Sequence, residues 1–481
     1  MQDPTNEMNL SKSSKTSSKS ISALLLWWRR TVESLKTSGG QLSALFWLSL
    51  LVKFFIAYIF PLSFDESYYW VWGHHLQLSY FDHPPFVSWL YWLGQPFENF
   101  GQWVRLPGVL LSHATLAVWV LVLKTFFNEE QLFWWLALAL LTPLFGMGGL
   151  IVTPDIPLMF FWSVSLWALL ECEKKSSLKN YAFLGAALGA GFLAKYHIVI
   201  FIPLGFIWLI QRKRMGKAEI LPVTWSILWF LIVCSPVLVW NYQNDFASFR
   251  FQFNHGLGET HWSPNWPLKY LVDQLLIIFP PLLYLVLTKK NHTHAFLLKI
   301  MAWGPLVFFF LATFKADSEA NWPIAAYPAV LALAVLSNPG RKIFKGTLAF
   351  WGLILGLVVT EAKFSWLPIE KAQLKTSEFF KFEPIIEYLK VHQEIRPMYA
   401  YSFQMASKLY YELKEPIYKL YGINRKDFYD FIGLSRPHSF PFYVVSEKHF
   451  PLPPWIKEND LQIVETFPVG NQFEIYKVDR K

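Results

Sequence analysis

Long apolar stretches recur along most of the chain and are separated by short polar segments. Eleven of them approach the length of about 20 residues that an α-helix needs to cross a bilayer. We therefore predict an all-α polytopic membrane domain of about eleven transmembrane helices. The predicted spans are 42–61, 104–124, 131–147, 155–172, 179–194, 197–211, 221–241, 268–288, 295–314, 323–337 and 346–362.

The pattern changes after the last apolar stretch. Charged residues occur throughout 364–481, where short runs typical of β-strands alternate with helical patterns. This segment is predicted to be a small mixed α/β domain. Its strand-like runs are 398–402, 442–446, 461–467 and 473–478, and its helical patterns are 383–392 and 404–413.

The N-terminal segment differs from both of these parts. Residues 1–20 are rich in Ser and Lys and have no apolar period, which is typical of disorder. Residues 21–28 are apolar, too short to span a membrane and followed by two arginines, which favours an interfacial helix over a cleaved signal peptide. We therefore expect a tail with an interfacial helix at 1–41, a transmembrane domain at 42–363 and the C-terminal domain at 364–481.

Composition supports the membrane assignment. Hydrophobic residues make up 54% of the chain and charged residues 16%, against roughly 25% charged residues in soluble domains. The net charge of +9 comes from Lys and Arg in short loops between spans, which excludes a nucleic-acid-binding face. The two cysteines, Cys172 and Cys234, are far apart and predict neither a disulfide framework nor a metal site.

The loop charges also predict the orientation. With the N-terminus inside, the inner segments hold 20 Lys and Arg residues and the outer loops before the last span hold 5. This positive-inside asymmetry predicts a multi-pass protein of the bacterial inner membrane with a cytoplasmic N-terminus. An odd number of spans then places the C-terminal domain in the periplasm.

The longest predicted outer loop, 61–104, carries two polar motifs. Asp65 and Glu66 lie just beyond the first span, where a carboxylate can act as a general base or can instead cap a surface helix. Asp82 and His83 precede two prolines, a pattern typical of a helix start, while His83 is also a candidate phosphate ligand. Both interpretations stay open at each motif.

Other outer segments add further candidates. Asp155 opens the fourth span, as a helix cap or as a second carboxylate beside Asp65. Lys195 follows a glycine-rich stretch, where it can snorkel or bind an anionic headgroup. The polar residues around the start of the tenth span form either a solvated loop or part of a sugar site, and they include Lys315, Glu319, Asn321 and Trp322.

No phosphate-cradling glycine motif occurs, so a cytosolic nucleotide site has no support in the sequence. An ordered set of motifs instead resembles the protein-mannosyltransferase-like superfamily of GT-C glycosyltransferases, on the bacterial branch that contains the lipid A aminoarabinose transferase. The motifs are DESYYWVW at 65–72, YFDHPP at 80–85, RLPG at 105–108, TPDIP at 153–157, AKYH at 194–197, SPVLVWN at 235–241, and ANWP with AAYP at 320–328.

The resemblance implies a GT-C fold and transfer of a sugar, usually with inversion, from a polyprenyl-phosphate donor to an acceptor outside the inner membrane. It implies Asp65 as the catalytic carboxylate, with Asp155 and Glu66 as further catalytic candidates. Where the aminoarabinose transferase has a phosphate-binding lysine, this chain has His83. Because this position departs from the family pattern, we expect Arg105, Lys195 and Lys315 to bind the donor phosphate together with His83. The predicted sugar or acceptor ligands are Tyr68, Tyr69, Asp82, Glu319, Asn321 and Trp322.

The implied acceptor is lipid A, another envelope glycan or a protein, and membrane lipids are the other expected partners. The sequence leaves a divalent cation open as a participant and identifies no other cofactor. The alternatives are a lipid or sugar transporter (flippase) and, on the same scaffold, an oligosaccharide ligase or protein O-glycosyltransferase. A transporter typically places ionisable residues near the bilayer midplane and contains repeated halves. Here Lys53 is the clearly intramembrane charge and no internal repeat is found.

Overall fold

The structure is a computed structural model that describes residues 33, 36–214, 216–257, 262–288, 295–338, 340–364, 366–368, 378–448 and 451–481. Helices dominate the chain up to residue 364. The expected N-terminal tail and interfacial helix lie almost entirely outside the described residues. The helices of this part are α1 (Ser38–Ile59), α2 (Phe64–His74), α3 (Phe86–Gly94), α4 (Leu106–Leu123), α5 (Glu129–Leu141), α6 (Asp155–Lys174), α7 (Leu178–Ala194), α8 (Phe201–Gln211), α9 (Ile220–Gln243), α10 (Ala247–Leu257), α11 (Asn265–Ile278), α12 (Pro280–Thr288), α13 (Ala295–Ala312), α14 (Tyr327–Leu336) and α15 (Arg341–Phe364).

Within the described residues, six helices are long and apolar enough to cross a membrane, or up to eight if each of two bent pairs is one span. The protein is thus a multi-pass membrane protein. The bent pairs are α5 with the segment Pro143–Leu150, at 71°, and α11 with α12, at 93°. Other predicted spans correspond to shorter helices, such as α14 with 10 residues. An apolar stretch in the sequence does not show whether the helix it forms runs straight or turns back.

The bend after α5 has a local cause. Pro143 starts a π-helical turn that runs to Met147. Gly146 packs there against the end of α5, and a Cβ at this position would lie 2.1 Å from the Ala139 carbonyl oxygen. Only glycine allows this close approach without a backbone shift.

Helices α7 and α9 pack closely at a glycine of α7. A Cβ on Gly185 would lie 2.0 Å from the Ser226 carbonyl oxygen, so the absence of a side chain sets the distance between the two backbones. Helix α7 ends at Ala194. The following residue, Lys195, is thereby fixed at one end of this rigid pair.

A buried charge network fixes the segment between α1 and α4. Glu66 and Ser63 form a capping box at the start of α2. The Glu66 carboxylate also accepts a hydrogen bond from Arg105 Nη2 at 2.7 Å and one from the Val152 amide at 2.9 Å. Arg105 donates in turn to the carbonyls at the end of α1, including that of Phe60. A buried ion pair of this kind needs such additional hydrogen bonds to offset its desolvation.

The C-terminal region contains a mixed five-stranded sheet. Its strand order is β2-β1-β3-β5-β4, with β1 parallel to β2 and β3, and β5 antiparallel to β3 and β4. The first, third, fourth and fifth strands coincide with the four runs that the sequence indicates. The elements are α16 (Glu383–Val391), β1 (Met398–Ala400), α17 (Phe403–Leu413), β2 (Tyr418–Lys419), β3 (Phe442–Glu447), α18 (Trp455–Glu458), β4 (Leu461–Val469) and β5 (Phe473–Arg480).

The C-terminal region shares a hydrophobic core with helix α2. Tyr68 and Trp72 of α2 belong to the same buried cluster as Phe403 and Phe428. The Lys408 ammonium of α17 donates to the Leu62 carbonyl at 2.9 Å. The sheet is therefore held against the segment that follows the first membrane helix.

Candidate active site

One large cavity lies between helix ends of the membrane part and the C-terminal region, with a volume of about 1070 Å³. Its wall combines carboxylates, cations and aromatic rings from segments that are far apart in sequence. The residues of the sequence-derived site that line it are Asp65, Tyr68, Tyr69, Asp82, His83, Asp155, Lys195, Glu319, Asn321 and Trp322.

The side chains of the sequence neighbours Asp65 and Glu66 lie in different environments. Glu66 is fully buried in the network described above, whereas Asp65 is an exposed residue that lines the cavity. Burial raises the pKa of the Tyr69 hydroxyl well above its ordinary value, and the charges of Asp65, Asp82 and Asp155 raise this pKa further. The three aspartates thus lie around one tyrosine, whose hydroxyl stays protonated as a hydrogen-bond donor.

Asp155 joins three distant segments. It is the first residue of α6, and the residue at the N-cap position is Pro154, so the interpretation of Asp155 as the helix cap is wrong. Its Oδ1 accepts a hydrogen bond from Lys195 Nζ at 2.7 Å, and its Oδ2 accepts one from Asn321 Nδ2 at 2.7 Å. The Lys195–Asp155 pair is largely buried, with side chains 8% and 10% exposed. The ammonium is therefore held at a fixed place in the cavity wall.

Asp82 forms a second junction, between the membrane part and the C-terminal region. Its Oδ2 accepts a hydrogen bond from the Tyr68 hydroxyl at 2.7 Å, and its Oδ1 accepts one from Arg425 Nη1 at 2.6 Å. The backbone carbonyl of Asp82 accepts a hydrogen bond from Gln252 Nε2 of α10 at 2.5 Å. Helix α3 starts at Phe86 without a side-chain cap bond, so Asp82 does not act as its cap.

Histidines and aromatic rings fill the wall between these junctions. The His83 ring lies 6.2 Å from the Tyr69 ring, measured between centroids. The His197 ring lies 4.9 Å from Phe309 and 5.7 Å from Trp322. An indole face beside polar groups is a surface on which a sugar ring can pack.

Three predicted site residues lie outside the cavity lining. Glu66 and Arg105 are bound to each other in the buried network, so neither presents its charge to a ligand. Lys315 is an exposed residue beyond the end of α13. These placements argue for an architectural role of the Glu66–Arg105 pair and leave Lys195 and His83 as the predicted phosphate ligands that line the cavity.

The structure adds lining residues that the sequence did not indicate. Gln252, Phe403 and Arg425 reach the cavity from α10, from α17 and from the turn before Phe428. No local motif marks them, because their position depends on how the C-terminal region packs on α2. No group of three or more His, Cys, Asp or Glu side chains that could hold a metal ion occurs within the described ranges.

Comparisons with known proteins find the same kind of relative that the motifs indicate. Residues 82–240 match the family described as dolichyl-phosphate-mannose-protein mannosyltransferase. The chain is 26% identical over 290 residues to the lipid A galacturonosyltransferase RgtD of Rhizobium johnstonii, covering 56% of this chain and 59% of that protein. It is 27% identical over 335 residues to the undecaprenyl phosphate-alpha-4-amino-4-deoxy-L-arabinose arabinosyl transferase of Pseudomonas aeruginosa, covering 60% and 58%. The matched part thus spans less than two thirds of either relative.

The fold comparison covers more of the chain. A crystal structure of ArnT from Cupriavidus metallidurans bound to undecaprenyl phosphate superposes with a TM-score of 0.66 at 14% identity, covering 92% of this chain and 98% of that one. The apo form gives a TM-score of 0.64. At this identity the likeness establishes the fold. Together with the sequence matches, it shows that the chain is similar to the GT-C glycosyltransferases of the protein-mannosyltransferase-like superfamily, on the bacterial branch related to the lipid A aminoarabinose transferase.

Proposed function

We propose that the protein is an inverting glycosyltransferase that moves a sugar from a polyprenyl-phosphate donor to lipid A or another acceptor of the cell envelope. The observation that carries this proposal is the single cavity in which Asp65, Asp155, Lys195 and His83 meet. The named relatives that transfer sugars to lipid A or from undecaprenyl phosphate support the same class of donor and acceptor.

The reaction needs a base on one side of the sugar and cations on the other. The acceptor hydroxyl is a poor nucleophile, so a carboxylate takes its proton as its oxygen attacks the anomeric carbon. Asp65 suits this role because it is the carboxylate of its pair that faces the cavity. The bond from the anomeric carbon to the phosphate oxygen breaks at the same time. The new bond from the acceptor oxygen to the anomeric carbon forms on the opposite face of the sugar, which inverts the configuration.

The leaving polyprenyl phosphate gains negative charge, which preorganised cations stabilise. Lys195 is held by Asp155 and Asn321, so it does not have to reorganise when the charge develops. The His83 imidazole, which also lines the cavity, adds a second hydrogen-bond donor. Asp155 acts in this scheme mainly by positioning Lys195, since both of its oxygens already accept hydrogen bonds.

Sugar binding is assigned to the remaining polar and aromatic wall. The Tyr69 hydroxyl, whose pKa is raised by burial and by the charges of the three aspartates, serves as a hydrogen-bond donor to the sugar. Trp322 and Glu319 lie on the side of the cavity near Asn321. An indole face and a carboxylate together suit the apolar face and the hydroxyls of a pyranose or furanose.

The proposed topology follows from the loop charges. Eleven helices cross the inner membrane, the N-terminus with residues 1–41 is cytoplasmic, and the C-terminal domain at 364–481 is periplasmic. The cavity, beside the segment 61–104, then faces the periplasm at the membrane surface, where a lipid-linked sugar and an outward-facing acceptor can meet.

The decisive experiment is transfer by the purified protein in liposomes. Undecaprenyl-phosphate-linked sugars and lipid A are supplied, and the products are identified by mass spectrometry. We expect a glycosylated acceptor with the lipid-linked donor and no product when a nucleotide sugar replaces it. Efficient transfer from the nucleotide sugar without any lipid carrier would refute the proposal.

The same liposomes test the transporter alternative. A flippase would change the leaflet of a lipid-linked sugar without altering the molecule, so protection of the donor from an external periodate reagent would change while its mass stayed constant. A glycosyltransferase instead yields free undecaprenyl phosphate and a heavier acceptor. The ionisable groups clustered at one end of the membrane helices favour the second outcome.

A further inference from the structure

The C-terminal region sends one arginine into the cavity. Arg425 follows β2 and precedes the short helix Phe428–Asp430, and its guanidinium lies beside Asp82 with Nη1 2.6 Å from Oδ1. Among the described residues that line the cavity, the lysine and arginine side chains are those of Lys195 and Arg425. The site therefore has two basic side chains of different origin, one from the membrane part and one from the C-terminal region.

The segment that carries Arg425 is firmly held. Lys419 Nζ lies 2.7 Å from Asp427 Oδ2 and 2.6 Å from Asp430 Oδ2, and the Lys419 side chain is 1% exposed. The Phe428 amide donates to the Tyr68 hydroxyl at 2.9 Å. These bonds fix the backbone on both sides of Arg425, so that its position relative to α2 is set by the fold.

The guanidinium itself keeps unused donors. It lies over the Phe403 ring at 4.6 Å, which restricts its plane without using its N–H groups. Its hydrogen bonds within the described part of the chain, to Asp82 and to the Lys426 carbonyl, all come from Nη1. The side chain is 41% exposed, whereas that of Lys195 is 8% exposed. Arg425 is thus the more accessible of the two charges.

We propose that Arg425 binds a phosphoryl group of the ligand in the cavity and exchanges the Asp82 carboxylate for it when the ligand enters. A guanidinium presents donors in a planar fork that matches phosphate oxygens in a bidentate way, and a phosphate that displaces Asp82 meets this fork already oriented by Phe403. Asp82 retains the hydrogen bond from Tyr68 after the exchange. This proposal rests on the proposed function, since it specifies how that site recognises a phosphate-bearing substrate.

The proposed exchange can be distinguished from a purely structural role of the Asp82–Arg425 ion pair. If the Asp82–Arg425 pair only fastened the C-terminal region, breaking it from either side would have the same effect. If Arg425 is a phosphate ligand, Asp82 is its competitor in the empty site. Arg425→Gln should then weaken phosphate binding, whereas Asp82→Asn should leave it equal or strengthen it.

The test measures binding of undecaprenyl phosphate to the full-length protein in detergent, by calorimetry, without sugar or acceptor. We expect Arg425→Gln to weaken binding by about 10-fold or more, because hydrogen bonds to charged groups are stronger than those between neutral groups. Arg425→Lys should fall between Gln and the parent, and Asp82→Asn should bind equally or more tightly. Arg436→Gln is the matched control, because Arg436 is exposed, stacks on Tyr421 and lies outside the cavity lining.

The phosphate can belong to the donor or to the acceptor, and two measurements distinguish these cases: the affinity for undecaprenyl phosphate and the KM for lipid A. Loss of affinity for undecaprenyl phosphate in Arg425→Gln shows that the phosphate bound by Arg425 belongs to the donor. Unchanged affinity with a raised KM for phosphorylated lipid A, and no change for dephosphorylated lipid A, assigns it to the acceptor. If neither quantity changes, or if Asp82→Asn weakens binding as Arg425→Gln does, the proposal is refuted. The binding arm needs no turnover, so a failure of the glycosyltransferase proposal would appear separately, as absent transfer by the parent protein.

Discussion

Lys195 and Asp155 are forty residues apart in sequence, and their side chains meet in the cavity wall with Nζ 2.7 Å from Oδ1. The ammonium comes from the residue after α7, and the carboxylate from the first residue of α6. Asn321 completes the junction from a third segment. A cation held in this way is preorganised for an anion, so its function should depend on its partner as much as on its own charge.

This dependence predicts a non-additive double-mutant cycle. Lys195→Gln and Asp155→Asn should each lower kcat about 100-fold or more, and the double variant should be no worse than the poorer single variant. The reason is that each single change already removes the same held cation. Initial rates of sugar transfer give the cycle. Losses that multiply would show that Asp155 has an independent catalytic role.

Asp65→Asn should abolish transfer while the protein still inserts, folds and binds donor. The amide keeps the size of the side chain but cannot accept the proton of the acceptor, and loss of a general base costs about 10²- to 10⁴-fold in rate. Single-turnover rates and the melting temperature are the measurements. The control is Asp317→Asn, the same substitution in an exposed pair with Lys269 outside the cavity, which should change neither. Turnover by Asp65→Asn within a few-fold of the parent would eliminate Asp65 as the base.

Glu66→Gln should affect stability more than chemistry. Its carboxylate is fully buried against Arg105, and removal of one partner of a buried pair costs about 3–5 kcal/mol because the other charge is left unpaired. We expect a lower melting temperature in detergent, with the folded fraction retaining its specific activity. A variant with the parent's stability and no activity would instead place Glu66 in the chemistry.

The turn that carries Arg425 should respond to pH through Asp427. Burial raises the pKa of this carboxyl to about 6, although Lys419 opposes the shift. Since the folded-state pKa lies above the ordinary value of 3.8, the proton stabilises the folded state, and this contribution is lost as the pH rises through about 6. The parent should therefore gain stability relative to Asp427→Asn between pH 7 and pH 5. Melting temperatures of both proteins at several pH values test this, and a constant difference would contradict the assignment.

The orientation predicts where reporter enzymes work. Fusions after Lys481 should be active only with a periplasmic reporter, and fusions after Arg214 only with a cytoplasmic one, because the loop around Arg214 is among the most basic of the chain. Periplasmic activity at Arg214 would reverse the orientation and put the cavity in the wrong compartment for a lipid-linked donor.

The sequence predicted which segments form helices and strands better than it predicted where the helices bend. Apolar length indicated membrane helices, and short runs typical of β-strands indicated four of the five strands, since both are local properties. The count of eleven spans is not confirmed, because the bends after Leu141 and Ile278 depend on the backbone at Pro143 and at Phe279, where φ is +69°. Such breaks lie inside apolar stretches that read as continuous.

For the candidate site, the sequence by itself determined which polar residues stand at the ends of apolar stretches, and so which residues can gather at one face of the membrane domain. The sequence did not determine which of these side chains form hydrogen bonds or ion pairs with one another. Tertiary structure decided that Asp65 faces the cavity and Glu66 the core, that Asp155 holds Lys195, and that Arg425 enters from the C-terminal region. The physical reason is that a hydrogen-bond partner is chosen by the packing of helices distant in the chain, whereas sequence periodicity encodes only the burial of each helix on its own.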